Sequence, residues 1–263
     1  MTEIIFLIQL ESHSDIERIM YLEKKYDNKK INNKTILIKR VDCTDSEIKE
    51  VAVFFQGVEL LLGLLPKFPA VQVIDLGGGF KVPYAPGETG TDIAGLGQQL
   101  AARLHEYQQK ASRQLQVWFE PGKYLVSEAG HFITRVTVLK ATPETLFAGV
   151  DTGLNHLIRP MFYGAYHHID NLSHSAGTVK KYTIVGNICE TDTFAEAREI
   201  PEIREGDLLV FHNAGAYGFE MASNYNSRFR PAEVMVQNGK ATLIRRRETL
   251  DEDRKSTRLN SSH

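Results

Sequence analysis

The hydrophobic pattern of the chain changes period near residue 132, and no single repetitive architecture accommodates both halves. Before that point, VQVIDL at 71–76 is a short apolar run closed by Gly77-Gly78-Gly79, the pattern of a buried strand ending in a tight loop. Ile93, Leu96, Leu100, Leu104 and Tyr107 then recur at spacings of 3, 4, 4 and 3, which sets them on one face of a helix. VWFE at 117–120 reads as the next strand, so strand, helix and strand alternate as in a parallel sheet or barrel. An earlier helix is expected over 47–65 (EIKEVAVFFQGVELLLGLL), ending at Pro66, whose fixed φ and missing N–H discourage continuation. Beyond 132, FITRVTVLKA, TLFAGV, YTIVG, DLLVF, EVMVQ and ATLIRR follow one another, separated by turn residues and with no long helix between them. The fold class predicted is α/β followed by all-β.

The two ends differ from the middle. The first 50 residues hold no Gly, Ala or Pro, and DRKSTRLNSSH at 253–263 is polar and unpatterned. Residues 1–45 are expected to be a foreign or frame-disrupted start and 251–263 an artefact-like tail, leaving 46–131 as the α/β part and 132–250 as the mainly β part. Thirty-one Lys+Arg against 33 Asp+Glu give 31 − 33 = −2, without the basic field of a nucleic-acid or membrane-surface binder. No apolar run reaches the length of a membrane span, and acidic Glu3 precedes the first apolar stretch with no basic region, so a cytoplasmic protein with small-molecule or protein partners is expected. Cys43 and Cys189 are too few for a disulfide framework or a structural zinc site, and no metal is expected.

Several residues carry possible chemistry, each beside a plainer reading. Gly77, Gly78 and Gly79 after a strand either cradle a phosphate, since glycine lets backbone N–H groups approach an anion, or simply make a tight turn. Glu120-Pro121-Gly122-Lys123 is either a turn or an acid and a base at the carboxyl end of a parallel strand, where barrel enzymes keep catalytic groups. Asn155, Arg159 and Tyr163 lie in a stretch without amphipathic period, so a binding loop is expected. Arg159 is then a carboxylate or phosphate clamp, the alternative being a surface ion pair. His167-His168 invites a metal reading, but adjacent histidines in a strand face opposite ways, which favours structural or surface roles. Cys189-Glu190 offers a thiol beside an acid as proton donor and substrate clamp, against the reading of a small buried hydrophobe. Gly215 and Gly218 leave room around Tyr217, and Asn224 and Asn226 suggest a fixed polar loop.

Read in order, GGGFKVPY, EPGKYLVSEAG, GVDTGLNHLIRPMFYGAYHHI, VGNICETDTF and GDLLVFHNAGAYGFEMASNYNSRFRPAEV resemble the signature blocks of the diaminopimelate decarboxylase family. These are pyridoxal-phosphate enzymes of the alanine-racemase-like fold, with ornithine and arginine decarboxylases among their relatives. The resemblance runs from about Ser46 to about Thr249. It implies a partial (β/α)8 barrel followed by a β domain, pyridoxal 5'-phosphate as cofactor, and α-decarboxylation of meso-diaminopimelate to L-lysine and CO2. It also implies a homodimer whose active sites are shared between subunits.

Residue by residue, the resemblance gives Gly77, Gly78, Gly79 and Ser46 to the cofactor phosphate and Glu120 to the pyridine nitrogen, with Pro121, Gly122, Lys123 and Tyr217 completing the cofactor site. It gives Lys123, Arg159, Tyr163 and Tyr217 to the substrate, Glu190 to its distal ammonium and Cys189 to the return of a proton after CO2 leaves. Departures accompany it. The family's cofactor-bearing lysine sits in a Lys-Ala-Asn-like context, which Lys39 in TILIKR, the nearest strand-like candidate, lacks. The family's His-Thr-Gly-Ser block corresponds to Cys43-Thr44-Asp45-Ser46, where Asp45 sets a negative charge near a phosphate. Lys123 stands where many relatives carry arginine, a point charge for a bidentate fork. The chain is therefore expected to be the carboxyl-terminal part of a decarboxylase, inactive alone. The alternatives are a sister decarboxylase for carboxynorspermidine, ornithine or arginine, or a catalytically dead regulatory homologue.

Overall fold

The computed structural model describes the backbone of residues 6–10 and 36–40, and residues 51–69 and 71–251. The chain divides into two compact units, one of residues 1–83 and 87–125, the other of 84–86 and 126–263.

In the first unit, strands β1 (Phe6–Leu10), β2 (Ile36–Arg40), β3 (Val73–Asp75) and β4 (Gln116–Trp118) form a sheet in that order, every pairing parallel. All three residues of β3 are buried, as a parallel strand covered by helices requires. Helix α1 (Val51–Leu64) passes into a 3-10 turn (Leu65–Lys67) that contains Pro66, so the proline ends the α-helix without ending the helical backbone. Helix α2 (Ile93–Ala111) is capped by Asp92, whose carboxylate accepts the Gly95 N–H at 2.9 Å. Leu96, Leu100 and Leu104 of α2 and Phe54, Val58 and Leu61 of α1 enter one core with Ile74. Ile93, expected on that buried face, is exposed because it opens the helix before the first full turn reaches the core. Arg113 closes the α1–β3 connection by donating to the carbonyls of Leu65, Phe68 and Val71. The strand expected at 117–120 is shorter and earlier, leaving Glu120 two residues beyond its end.

In the second unit, β5 (Phe132–Ala141), β6 (Leu146–Val150), β7 (Ile169–Asn171), β8 (Val179–Val185), β9 (Thr193–Pro201) and β10 (Leu208–Phe211) form a sheet of order β7-β10-β5-β6-β8-β9. Only β6 and β8 pair in parallel. Val136, Ala148, Ile184, Leu209 and Phe211 lead its core. A hairpin of β11 (Glu233–Gln237) and β12 (Lys240–Arg245) follows. The sequence reading missed β7 and β9, which are the sheet's two edges. On β9, Glu196, Arg198 and Glu199 interrupt the apolar alternation, and charge on an edge strand blunts pairing with other chains.

Candidate active site

In the first unit, the segments after β3 and β4 run side by side. The Leu76 N–H donates to the Trp118 carbonyl at 3.0 Å and the Glu120 N–H to the Gly77 carbonyl at 2.8 Å, so the parallel ladder continues past the strand ends. Buried Asp75 anchors the glycine loop by accepting the Gly77 N–H at 2.9 Å. Gly77 and Gly79 hold φ values of +72° and +82°, in the left-handed region that favours glycine. Gly78 needs its hydrogen for a different reason: a Cβ there would lie 2.1 Å from the Glu120 carbonyl oxygen. All three glycines are thus required by the backbone, and bare main chain lies next to an exposed carboxylate at the ends of neighbouring parallel strands.

The Glu120-Pro121-Gly122-Lys123 segment is not a simple turn. Gly122 begins helix α3 (Gly122–Val126), and Lys123 in its first turn is buried. Ser46 lies outside the described residues, as do Cys43, Thr44, Asp45, the side chain of Lys39 and the segments 47–50 and 252–263.

In the second unit, Arg159 opens helix α4 (Arg159–Tyr163), where a loop was expected. Pro160 follows it, a residue suited to a helix start because its ring presets φ and its missing N–H is not needed there. The guanidinium is no surface ion-pair partner. Arg159 is 8% exposed, its Cζ lies 5.3 Å from the Tyr84 ring centroid and 5.4 Å from that of Tyr217, and its Nε has no hydrogen-bond partner. Two tyrosine faces over a desolvated guanidinium hold it by cation–π attraction and leave an N–H for an anion. Tyr217 takes φ +59°, a left-handed conformation in a non-glycine residue. Tyr163 remains exposed, with its ring contact to Phe162 at 4.7 Å.

His167 and His168 precede β7 and are not in a strand, so the opposite-faces argument does not apply to them. His167 is buried against Tyr84, ring to ring at 5.3 Å, and its Nδ1–H donates to the His212 carbonyl at 2.8 Å. Its Nε2 is buried without a partner. Burial, opposed by the His212 hydrogen bond and reinforced by the nearby Arg159 and Arg198 cations, pushes its pKa down to about 4. The unfolded chain therefore binds this proton between pH 6.5 and 4 while the folded chain does not, and stability falls as pH drops through that window. The difference, 1.36 × (6.5 − 4), is about 3 kcal/mol. Denaturant unfolding at pH 7.5 and 4 should show this loss in the native chain, and His167→Phe should remove most of it; equal pH slopes in both would refute the assignment.

The third group follows β8. Cys189 is exposed, not a buried hydrophobe. Its thiol donates to Glu190 Oε2 at 3.3 Å and receives Asn226 Nδ2 at 3.9 Å, while the Tyr225 hydroxyl donates to Glu190 Oε1. That phenol, with the thiol and a backbone N–H, holds the Glu190 carboxyl below the usual range, and Glu190 in turn raises the Tyr225 phenol. A thiol beside an ionised carboxylate can pass a proton while the carboxylate holds a cation. Asn224 helps fix the loop from which Tyr225 and Asn226 reach Cys189 and Glu190, by donating to the Arg228 carbonyl at 3.1 Å and to Glu248 at 2.6 Å. Tyr84 and Tyr225 escaped the sequence reading; the available signal was an aromatic inside a polar, glycine-bearing block, and of the structural or surface roles favoured for His167 the structure gives it the buried one.

Among the described residues no group of three or more His, Cys, Asp or Glu is placed to hold a metal ion, and no helix is long and apolar enough to cross a membrane.

Residues 67–215 match the family model of the pyridoxal-dependent decarboxylase C-terminal sheet domain. The diaminopimelate decarboxylase of Methanothermobacter thermautotrophicus is 43% identical over 187 residues, 69% of this chain and 43% of that protein. A crystal structure of a diaminopimelate decarboxylase superposes with TM-score 0.82 at 31% identity, covering 95% of this chain and 60% of that one. The M. jannaschii diaminopimelate decarboxylase in complex with L-lysine gives 0.79 at 29% identity, covering 88% and 53%. The chain spans about half the length of the curated relatives it matches.

Proposed function

The chain belongs to the pyridoxal-dependent decarboxylases, and from that premise we propose that the protein decarboxylates meso-diaminopimelate at its α-carbon to give L-lysine and CO2. The observation that carries this reading is the side-chain-free Gly77-Gly78-Gly79 loop tied to Glu120 at the ends of two neighbouring parallel strands. That pairing suits a cofactor with an anionic phosphate and a basic ring nitrogen. The four parallel strands are read as part of a (β/α)8 barrel, and the working protein as a cytoplasmic homodimer.

Bound pyridoxal phosphate supplies the protonated ring that takes up the electron pair released as CO2 departs. Gly77, Gly78, Gly79 and Ser46 are assigned to its phosphate and Glu120 to its ring nitrogen, where a carboxylate keeps the proton in place. Pro121, Gly122, Lys123 and Tyr217 complete those contacts. The unpartnered N–H of the stacked Arg159 is assigned to a substrate carboxylate, and Lys123, Tyr163 and Tyr217 are assigned to the substrate as well. Glu190, held ionised, takes the distal ammonium, while the second carboxylate of meso-diaminopimelate is the group that ornithine and arginine lack. Cys189 gives its proton to the carbon that has lost CO2, and the thiolate regains one from solvent. In the shared-site arrangement Cys189 and Glu190 serve the neighbouring subunit.

Decarboxylation of meso-diaminopimelate, ornithine, arginine and carboxynorspermidine by full-length protein supplied with pyridoxal phosphate tests the assignment. We expect kcat/KM for meso-diaminopimelate to exceed the others by about 100-fold or more, the discrimination open to a site built around a substrate's polar group. Preference for another substrate would overturn the substrate, and turnover of none would overturn the activity.

A further inference from the structure

Asp192 lies between the turn carrying Cys189 and Glu190 and strand β9, and it is buried. One carboxylate oxygen accepts the Ile188 N–H at 2.9 Å, and the other accepts the Leu154 N–H at 2.7 Å. Its own carbonyl accepts the Gly186 N–H at 2.7 Å. Neither Leu154 nor Ile188 belongs to a helix or strand, so these amides have no ladder to join. We infer that Asp192 is a positioning residue, which clamps the 186–190 turn to the 152–156 turn and thereby sets where Cys189 and Glu190 stand.

The neighbouring glycines are shaped around this carboxylate. A Cβ on Gly186 would lie 2.0 Å from Asp192 Oδ2, and one on Gly153 would lie 2.7 Å from the same oxygen and 2.5 Å from the Ile188 side chain. The two turns are tied again by the Asn187 N–H donating to the Thr152 carbonyl at 2.9 Å. The 152–156 turn is itself anchored, because His156 accepts from or donates to Thr152 Oγ1 at 2.8 Å and meets the Phe229 carbonyl at 2.8 Å. Ile188 directly precedes Cys189, so a clamp on its N–H restrains the backbone from which the thiol reaches Glu190. A carboxylate is needed here because its two oxygens can accept from two turns at once, whereas an amide side chain offers only one acceptor atom. Burial raises the Asp192 pKa against the two amide bonds that lower it, as expected of a carboxylate enclosed for geometry.

The functional weight of this clamp rests on the proton-donor role proposed for Cys189, but thiol reactivity reads the positioning itself, independently of turnover. In full-length protein, Cys189 alkylation by iodoacetamide, followed on the Cys189-bearing peptide by mass spectrometry, is compared at pH 8 with and without Asp192→Asn. Release of the turn separates the thiol from the Glu190 carboxylate, which disfavours the thiolate, so alkylation is expected to quicken by about threefold or more. Asn171→Ser, which breaks a buried hydrogen-bond set at β7 instead, is expected to leave the rate unchanged. An unchanged rate in folded Asp192→Asn overturns the inference, as does an equal change in Asn171→Ser. Hydrogen exchange on the unsubstituted protein covers the case in which Asp192→Asn fails to fold. The Ile188 and Leu154 amides should be protected by about 100-fold or more over an unstructured chain, and exchange of either at the unstructured rate overturns the clamp.

Discussion

Cys189→Ala in the full-length protein is expected to lower decarboxylation of meso-diaminopimelate by about 10²–10⁴-fold, the range supplied by a positioned proton donor. Pyridoxal phosphate binding, followed by the absorbance of the bound cofactor, should be unchanged. The separation follows from the assignments: the thiol acts after CO2 has left, whereas the cofactor contacts belong to the glycine loop and Glu120. The thiol's placement 3.3 Å from Glu190, on an exposed turn, suits delivery of a proton to a bound molecule. Glu190→Gln should raise KM more than it lowers kcat, because it removes the charge assigned to the distal ammonium. An unchanged rate for Cys189→Ala would remove its role as acid. Mixing Cys189→Ala protomers with protomers lacking the cofactor-bearing lysine should rebuild one complete site in each heterodimer. No recovery despite demonstrated subunit exchange would argue against sites shared between subunits.

Gly215→Ala is expected to destabilise the second unit by on the order of 4 kcal/mol, at the upper end of single substitutions. A Cβ on Gly215 would fall 1.8 Å from the Val126 carbonyl oxygen, and one on Gly130 would fall 2.2 Å from the Gly215 Cα. The two glycines face each other main chain to main chain, joined by the Gly215 N–H donating to Ser127 at 3.1 Å and the Ala214 N–H donating to Gly130 at 2.8 Å. Backbone cannot move aside as a flexible side chain can. The same contact holds the start of the loop that carries Tyr217, so Arg159 would lose one of its two aromatic faces with it. Gly97→Ala is the contrast: it lies within α2 with nothing within 4 Å of the added Cβ. There, alanine's better helix propensity should stabilise by about 0.5–1 kcal/mol. Urea unfolding of the three proteins checks both, and a loss below about 1 kcal/mol for Gly215→Ala would refute the packing argument.

The amino-acid sequence by itself determined the α/β-then-β order and the long periodic elements, but not strands β7 and β9 or the short helices α3 and α4. The apolar spacing through Leu96, Leu100 and Leu104 encodes one helix face, the buried run at 73–75 a parallel strand, and the β-branched runs after 132 the second sheet. It also carried the family blocks, because those residues are contiguous and their chemistry is legible without neighbours. Tertiary structure decided the rest. Whether Cys189 is exposed, whether Arg159 stands in solvent or between Tyr84 and Tyr217, and whether His167 keeps its proton all depend on segments distant in sequence. Asp192 carries no local signal at all, since its partners Leu154 and Ile188 offer only backbone amides. The physical reason is that periodicity records which face a local element buries, whereas burial, desolvation and hydrogen-bond partnership belong to pairs of segments that meet only when the chain has folded.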